Sequence, residues 1–236
     1  MQHINPEQLF IFDIETVPGV ADFNELDPEL QTLFDQKTAR NRDPLQNAAE
    51  HYPEKAGILA EFGKVIVISC GYMQKLGNGY QLKIKNYSGH DEKELLRSFS
   101  ETLQNISKNN YFLCGHNIRE FDVPWLCRRM LINSIPLPPC LDLYGKKPWE
   151  VNHVDTLDLW KFGDFKHYTS LHLLATVLGV PTPKDDIDGS MVGTVYWQQN
   201  DLARIEKYCS KDVIAVANVI LKLKGLPLLE AENILQ

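Results

Sequence analysis

An α/β protein with a mixed central sheet and helices on both faces is predicted by three observations. Two β-rich segments joined across a glycine turn come early, as in a hairpin. Short apolar runs then alternate with helical periodicity. The C-terminal stretch carries the clearest three-and-four-residue apolar spacing in the chain.

Each element follows from local pattern. Leu9 to Ile14 is a nearly continuous apolar run and reads as a buried strand. Residues 16–62 form a long polar insertion rich in Asp, Glu, Gln, Asn and Pro. Two parts of it look helical, Glu29 to Lys37 and Glu54 to Glu61. Val65 to Tyr72 is β-branched and apolar, and Gly77 to Gly79 signals a turn. Tyr80 to Tyr87 alternates apolar and polar, so the pair reads as a hairpin. Asp91 is placed to cap a helix that carries Leu95, Phe99, Leu103 and Ile106 on one face. Tyr111 to Gly115 is a strand, followed by a helix from about Asn117 to Leu131. A Pro-rich loop over 135–140 precedes a strand at Val154 to Leu159. Thr169 or Ser170 caps a further helix that Gly179 ends. The last helix, about Asp201 to Lys224, presents Leu202, Ile205, Cys209, Val213, Val216, Ile220 and Leu223. With no internal repeat, low-complexity tract or linker, residues 1–236 are expected to form a single domain with 16–62 as an inserted, partly helical arm.

Composition narrows the function. The 236 residues are 44% hydrophobic and 23% charged, as in a soluble protein with a sizeable core. No apolar stretch is long enough for a bilayer, and the N-terminus lacks the pattern of a signal peptide. The five cysteines form no CxxC pair and sit mostly in apolar segments. They read as buried thiols in a reducing cytoplasm. A net charge of −7 argues against a tight, passive nucleic-acid binder, and less against an enzyme that must release its product. Arg128–Arg129, Lys146–Lys147, Lys161 and Lys166 are local basic groups that read equally as solvated surface.

The chemistry lies in three segments. Asp13 and Glu15 are two apart at the end of the first apolar strand, so both carboxylates share one face. Carboxylate oxygens suit hard cations such as Mg²⁺ and Mn²⁺. Asp122 follows Asn117 and Phe121 in HNIREFD, where capping by Asn117 and packing by Phe121 are the plain alternatives. Tyr208 and Asp212 are four apart on the last helix and therefore stack on one face. A tyrosine hydroxyl beside such an acid can orient an attacking water.

Together these segments resemble the DEDD (DnaQ-like) superfamily of 3′–5′ exonucleases. The D-x-E motif is met by Asp13 and Glu15, N-x3-[FY]-D by Asn117, Phe121 and Asp122, and Y-x3-D by Tyr208 and Asp212. The sister subfamily has His five residues before the final Asp. Lys207 stands there, so the tyrosine (DEDDy) type fits. FDIET and the overall spacing look most like stand-alone relatives of the B-family DNA polymerase proofreading domain. The resemblance covers Leu9 to about Leu223, with no polymerase domain expected to follow.

That resemblance implies a ribonuclease H-like fold and two-metal hydrolysis of single-stranded nucleic acid from its 3′ end, DNA ahead of RNA, releasing nucleoside 5′-monophosphates. It also implies roles. Asp13 would bridge two Mg²⁺ or Mn²⁺ ions. Glu15 and Asp212 would complete the first site, and Asp122 would help hold the second. Tyr208 would position the water, and Thr16, Asn117 and Phe121 would contact the terminal nucleotide. A separate polymerase or repair protein is an expected partner, and no membrane is.

Other readings are weaker. A haloacid-dehalogenase-type phosphatase needs D-x-D-x-T, and Glu15 replaces its second Asp. An inactive ribonuclease H-like binding module would more naturally lack one of the four acids. Asp155 and Asp158 are expected to be structural or capping residues. Asp185, Asp186 and Asp188 lack the terminal Glu of a calcium loop. The histidines show no metal spacing, and Ser69 and Ser170 have no nucleophile-elbow context.

Overall fold

The computed structural model describes residues 4–164, 166–181 and 186–236. Its first strand, β1 (Leu9–Pro18), leads into helices α1 (Pro28–Thr38) and α2 (Ala48–Lys55). The hairpin β2 (Gly63–Leu76) and β3 (Gly79–Ser88) follows, then α3 (Glu92–Lys108), β4 (Phe112–Gly115) and α4 (Asp122–Ile132). The chain continues through β5 (Val154–Asp155), α5 (Thr156–Lys161), α6 (Leu171–Leu178), α7 (Val192–Trp197), α8 (Leu202–Leu223) and β6 (Ile234–Leu235). The strands make one mixed sheet in the order β5-β4-β1-β2-β3-β6. β1 runs antiparallel to β2 and parallel to β4.

β1 sits at the centre, and its alternation builds both cores. Phe10, Phe12 and Ile14 pack against Leu96, Phe99 and Leu103 of α3 and Trp125 and Met130 of α4. Leu9 and Ile11 face the other way, onto Val213, Val216 and Ile220 of α8. Each large buried side chain contributes about 1.5–3 kcal/mol. A one-residue slip of β1 would reverse every one of these faces and drive Asp13 and Glu15 into the α3–α4 core, so the register is strongly specified. The same alternation aims both acids at α8.

Helix α8 is the longest, and a residue suited to each terminus bounds it. Asp201 caps it by accepting the Arg204 amide at 3.1 Å. Gly225, at φ 67°, follows its end.

The segment between β1 and β2 carries its own aromatic cluster, in which Phe34 meets Tyr52 and Phe62 edge to face at 5.2 and 5.1 Å. It is tied to β1 by the Thr16 hydroxyl donating to the Gly57 carbonyl at 2.6 Å and by the Gly19 amide donating to Phe62 at 2.8 Å. Buried Glu92 accepts from the Arg129 guanidinium, the Asn133 amide and the Val65 N–H, so its charge is compensated inside the fold.

Several local expectations differ from the structure. β1 runs four residues beyond Ile14, because β2 pairs with it as far as Pro18–Gly63. The second helix of the insertion lies earlier than expected. Asn47 and Glu50 form a capping box that starts α2 at Ala48, and a single 3₁₀ turn over Ala56–Ile58 replaces the expected helix there. The helix expected from Asn117 begins instead at Asp122. Asn117 is left-handed at φ 63°, which no helix N-terminus uses. The strand expected over 154–159 ends at Asp155, whose carboxylate caps α5 by accepting the Leu157 amide at 2.9 Å. Helix α7 and strand β6 carry no strong sequence pattern and were not anticipated. Ser170 is the cap of α6, and Gly179 ends it at φ 66°.

Candidate active site

The site forms where the C-terminal half of β1 passes under α8. Asp13 and Glu15 project toward the helix, and Tyr208, Cys209 and Asp212 project back. Asp13, Tyr208 and Asp212 line one cleft of about 210 Å³. The charges of Asp212 and Asp122 both act on Asp13 and Glu15. Three segments some hundred residues apart in sequence therefore meet in one place.

Asp122 arrives by a different route. β4 accompanies β1 only to Ile11. Beyond that point the Asp122 carboxylate takes up the backbone of β1, accepting the Ile14 N–H at 3.3 Å. Asp122 is also the first residue of α4, where the helix macrodipole favours a negative charge. The turn before it is held by Asp155, which accepts the amides of Asn117 at 2.8 Å and Arg119 at 3.1 Å. Gly115 makes the turn possible. A Cβ there would overlap the Ile118 Cγ2 and lie 2.8 Å from the Phe12 carbonyl.

The electrostatics of the cluster are unfavourable on their own. Burial pushes the carboxyls of Asp13 and Glu15 well above the usual carboxylate range, and the charges of Asp212 and Asp122 push them further. Burial raises Asp122 to about 7, although its own N–H and that of Ile14 pull it down. Burial and the neighbouring acids drive the Tyr208 hydroxyl far up. It is hydrogen-bonded to Asp212 and stays protonated. Cys209 Sγ donates to Asp13 Oδ2 at 3.3 Å and to the Asp13 carbonyl at 3.4 Å. Its thiol is likewise pushed up by burial, so it acts as a donor to the acid.

The donor set suits a hard cation. One ligand atom each from Asp13, Glu15 and Cys209 lies within 4.8 Å of the others. The Asp13 and Glu15 carboxylates, crowded together and costly to ionise where they are buried, are what a divalent ion would neutralise, with the Cys209 thiol beside them as a hydrogen-bond donor. The Asn117 Oδ1 is buried and has no hydrogen-bond partner among the described residues.

Of the residues expected from sequence, Asp13, Glu15, Asp122, Tyr208 and Asp212 come together. Thr16 and Phe121 line a second cleft, about 340 Å³, that shares Glu15 with the carboxylate cluster. Asn117 lines neither cleft and sits in the turn behind Asp122. Sequence reasoning missed His116, Tyr168, Ser170 and His172, which line the first cleft with Asp13. His116 is held by Thr156 Oγ1 and the Thr169 carbonyl, both at 2.9 Å, and burial lowers its pKa. Its position next to Asn117 was the one available signal. Cys209 gave none, since a cysteine on an apolar helix face reads as core. Asp158 pairs with Arg119 and Lys161, and Asp155 is the cap described above, so both are structural as expected. Asp186 pairs with Arg204, and Asp188 accepts from Ser190. Asp185 lies outside the described residues.

No helix among the described residues is long and apolar enough to cross a membrane. No curated protein matches the chain. A solved family B DNA polymerase from the hyperthermophilic archaeon Pyrobaculum calidifontis is similar in structure, with a TM-score of 0.50 and 19% sequence identity. The match covers 94% of this chain and 24% of the polymerase. The chain thus spans about a quarter of that protein's length. The fold is α/β and ribonuclease H-like. Residues 58–227, most of the chain, match the family described as "Predicted 3'-5' exonuclease related to the exonuclease domain of PolB". The chain belongs to that family of predicted exonucleases.

Proposed function

We propose that this protein is a metal-dependent 3′–5′ exonuclease of the tyrosine DEDD type. It would remove nucleoside 5′-monophosphates from single-stranded DNA, with RNA as the second substrate. The observation that carries this reading is the convergence of Asp13, Glu15, Asp122 and Asp212 with Tyr208 at one end of β1. The single sheet against which both α4 and α8 pack supports one nuclease domain, with the segment between β1 and β2 as its arm.

Asp13, Glu15, Asp122 and Asp212 would hold two Mg²⁺ or Mn²⁺ ions. When bound, the ions supply charge neutralisation at the phosphate and an acidified water. The protein's own groups do the rest. The protonated Tyr208 hydroxyl orients a water beside Asp212. Cys209 holds the Asp13 carboxylate in place from behind. The cleft of Thr16 and Phe121 receives the terminal nucleotide, with Phe121 as an apolar face for its base or sugar. Asn117, in the turn behind Asp122, would support the nucleotide site through the placement of Phe121 and Asp122.

The test is digestion of 5′-labelled single-stranded DNA and RNA oligonucleotides with Mg²⁺ or Mn²⁺, with EDTA and Asp13→Ala as controls. A metal-dependent ladder shrinking from the 3′ end, absent in both controls, is expected. No cleavage by the folded protein under either metal would overturn the reading.

A further inference from the structure

We propose that Asp13, Glu15 and Cys209 form a tetrahedral Zn²⁺ site, with water in the fourth position, and that zinc held there displaces the Mg²⁺ or Mn²⁺ that hydrolysis requires. The site stands on its own donor geometry, and its inhibitory effect rests on the exonuclease reading above.

The spacing of the donors suits zinc. One ligand atom from each residue lies within 4.8 Å of the other two. Cys209 Sγ is 3.3 Å from Asp13 Oδ2. Zinc holds thiolate sulfur at about 2.3 Å and carboxylate oxygen at about 2.1 Å, and at the tetrahedral angle those lengths set the two atoms about 3.6 Å apart. The observed separation therefore needs an adjustment of only a few tenths of an ångström. Asp13 and Glu15 come from β1, and Cys209 comes from α8, where it is locked among Val17, Val67 and Ile205. The donors are thus carried by packed elements rather than by a loop.

Glu15 points independently to a cation. It is 8% exposed, and buried carboxylates ordinarily accept hydrogen bonds. Among the described residues no group donates to this one, and the charges that act on it, those of Asp212 and Asp122, share its sign. Access is open from two sides, because Asp13 lines the first cleft and Glu15 the second.

The sulfur selects the metal. Mg²⁺ demands octahedral oxygen ligation and Mn²⁺ favours carboxylate and water, whereas thiolate draws four-coordinate Zn²⁺. With its thiol protonated, Cys209 leaves Asp13 and Glu15 as plain oxygen donors for the harder ions. Zinc binding breaks the S–H bond, forms a Zn–S bond and releases the proton to the buffer, with no change of oxidation state. Carboxylates held by zinc in this way are withdrawn from the catalytic ions.

The experiment titrates metal-free protein with Co²⁺, whose thiolate charge-transfer and tetrahedral absorption bands report sulfur ligation, and then displaces it with Zn²⁺. Wild type should develop both bands and lose them on adding Zn²⁺. Cys209→Ser should lose the charge-transfer band and bind Zn²⁺ about 100-fold more weakly or worse, beyond the loss of about 10–100-fold typical when only an outer partner of a metal site is altered. Glu15→Gln, which keeps the thiol, should weaken Zn²⁺ binding as well and serves where Cys209→Ser fails to fold. Cys127→Ser/Cys140→Ser, in the α3–α4 core, should leave band and affinity unchanged. Zn²⁺ added to saturation should stop Mn²⁺-supported digestion by wild type. No charge-transfer band in wild type, or a band that survives Cys209→Ser, would overturn the site. Digestion that continues with the zinc site filled would overturn the inhibition. A Cys209-dependent band in a protein that digests nothing under Mn²⁺ would keep the zinc site and remove the exonuclease reading.

Discussion

Replacing Glu15 by Gln should make the metal-free protein more stable and the metal-loaded protein less so. Glu15 is buried among like charges, and its oxygen lies within 4.8 Å of one from Asp13. Two unit charges at that separation repel by about 3 kcal/mol at an effective dielectric of ~20. Protonation limits the cost, since a carboxyl of ordinary pKa ~4.3 can be neutralised at pH 7 for about 4 kcal/mol. Gln keeps the shape and removes the charge, so a gain of about 1–3 kcal/mol is expected in EDTA. For a chain of this size that corresponds to roughly 3–10 °C in Tm. Metal binding reverses the order. Wild type gains about 2.7 kcal/mol when the metal is a hundredfold above its Kd, and the variant, one carboxylate short, gains less. The assay is thermal unfolding at pH 8 in EDTA and in MnCl₂, for both proteins. The melting curves should cross between the two conditions. A variant that melts at or below wild type in EDTA, and rises equally with Mn²⁺, would refute the idea that these acids are crowded for a cation.

Three further outcomes follow from the same geometry. Tyr208→Phe should slow turnover by about 10²-fold while leaving the Mn²⁺-induced rise in Tm intact, because the hydroxyl acts on water beside Asp212. An unaltered rate in single-turnover digestion would remove Tyr208 from the chemistry. The folded pKa of Asp122, raised to about 7 from an ordinary value near 4, makes the folded state bind more protons than the unfolded one in between. Its contribution to metal-free stability should therefore fall as pH rises from about 4 through 7, and denaturant titrations of wild type against Asp122→Asn would read the difference. Gly115→Ala should cost about 1–3 kcal/mol, since its Cβ meets the Phe12 carbonyl at 2.8 Å and the Ile118 side chain. Urea unfolding with wild-type stability would show that the turn before Asp122 yields more easily than its packing implies.

The sequence by itself determined what depends on local period and on spacing. The alternation of β1 put Asp13 and Glu15 on one face, and the three-and-four spacing of α8 put Tyr208 and Asp212 on another. Both could be read from side-chain direction alone. The hairpin, the Asp91 and Ser170 caps and the Gly179 stop were equally local. Tertiary structure decided the rest. The start of α4 moved from Asn117 to Asp122 because Asp155, 38 residues away, takes the Asn117 amide and holds the turn. Cys209 came to Asp13 through helix-on-sheet packing between residues 196 apart, for which one sequence carries no signal. His116, Tyr168 and His172 joined the cleft in the same way. Local pattern sets which way each side chain points, whereas long-range packing of whole elements sets which side chains meet.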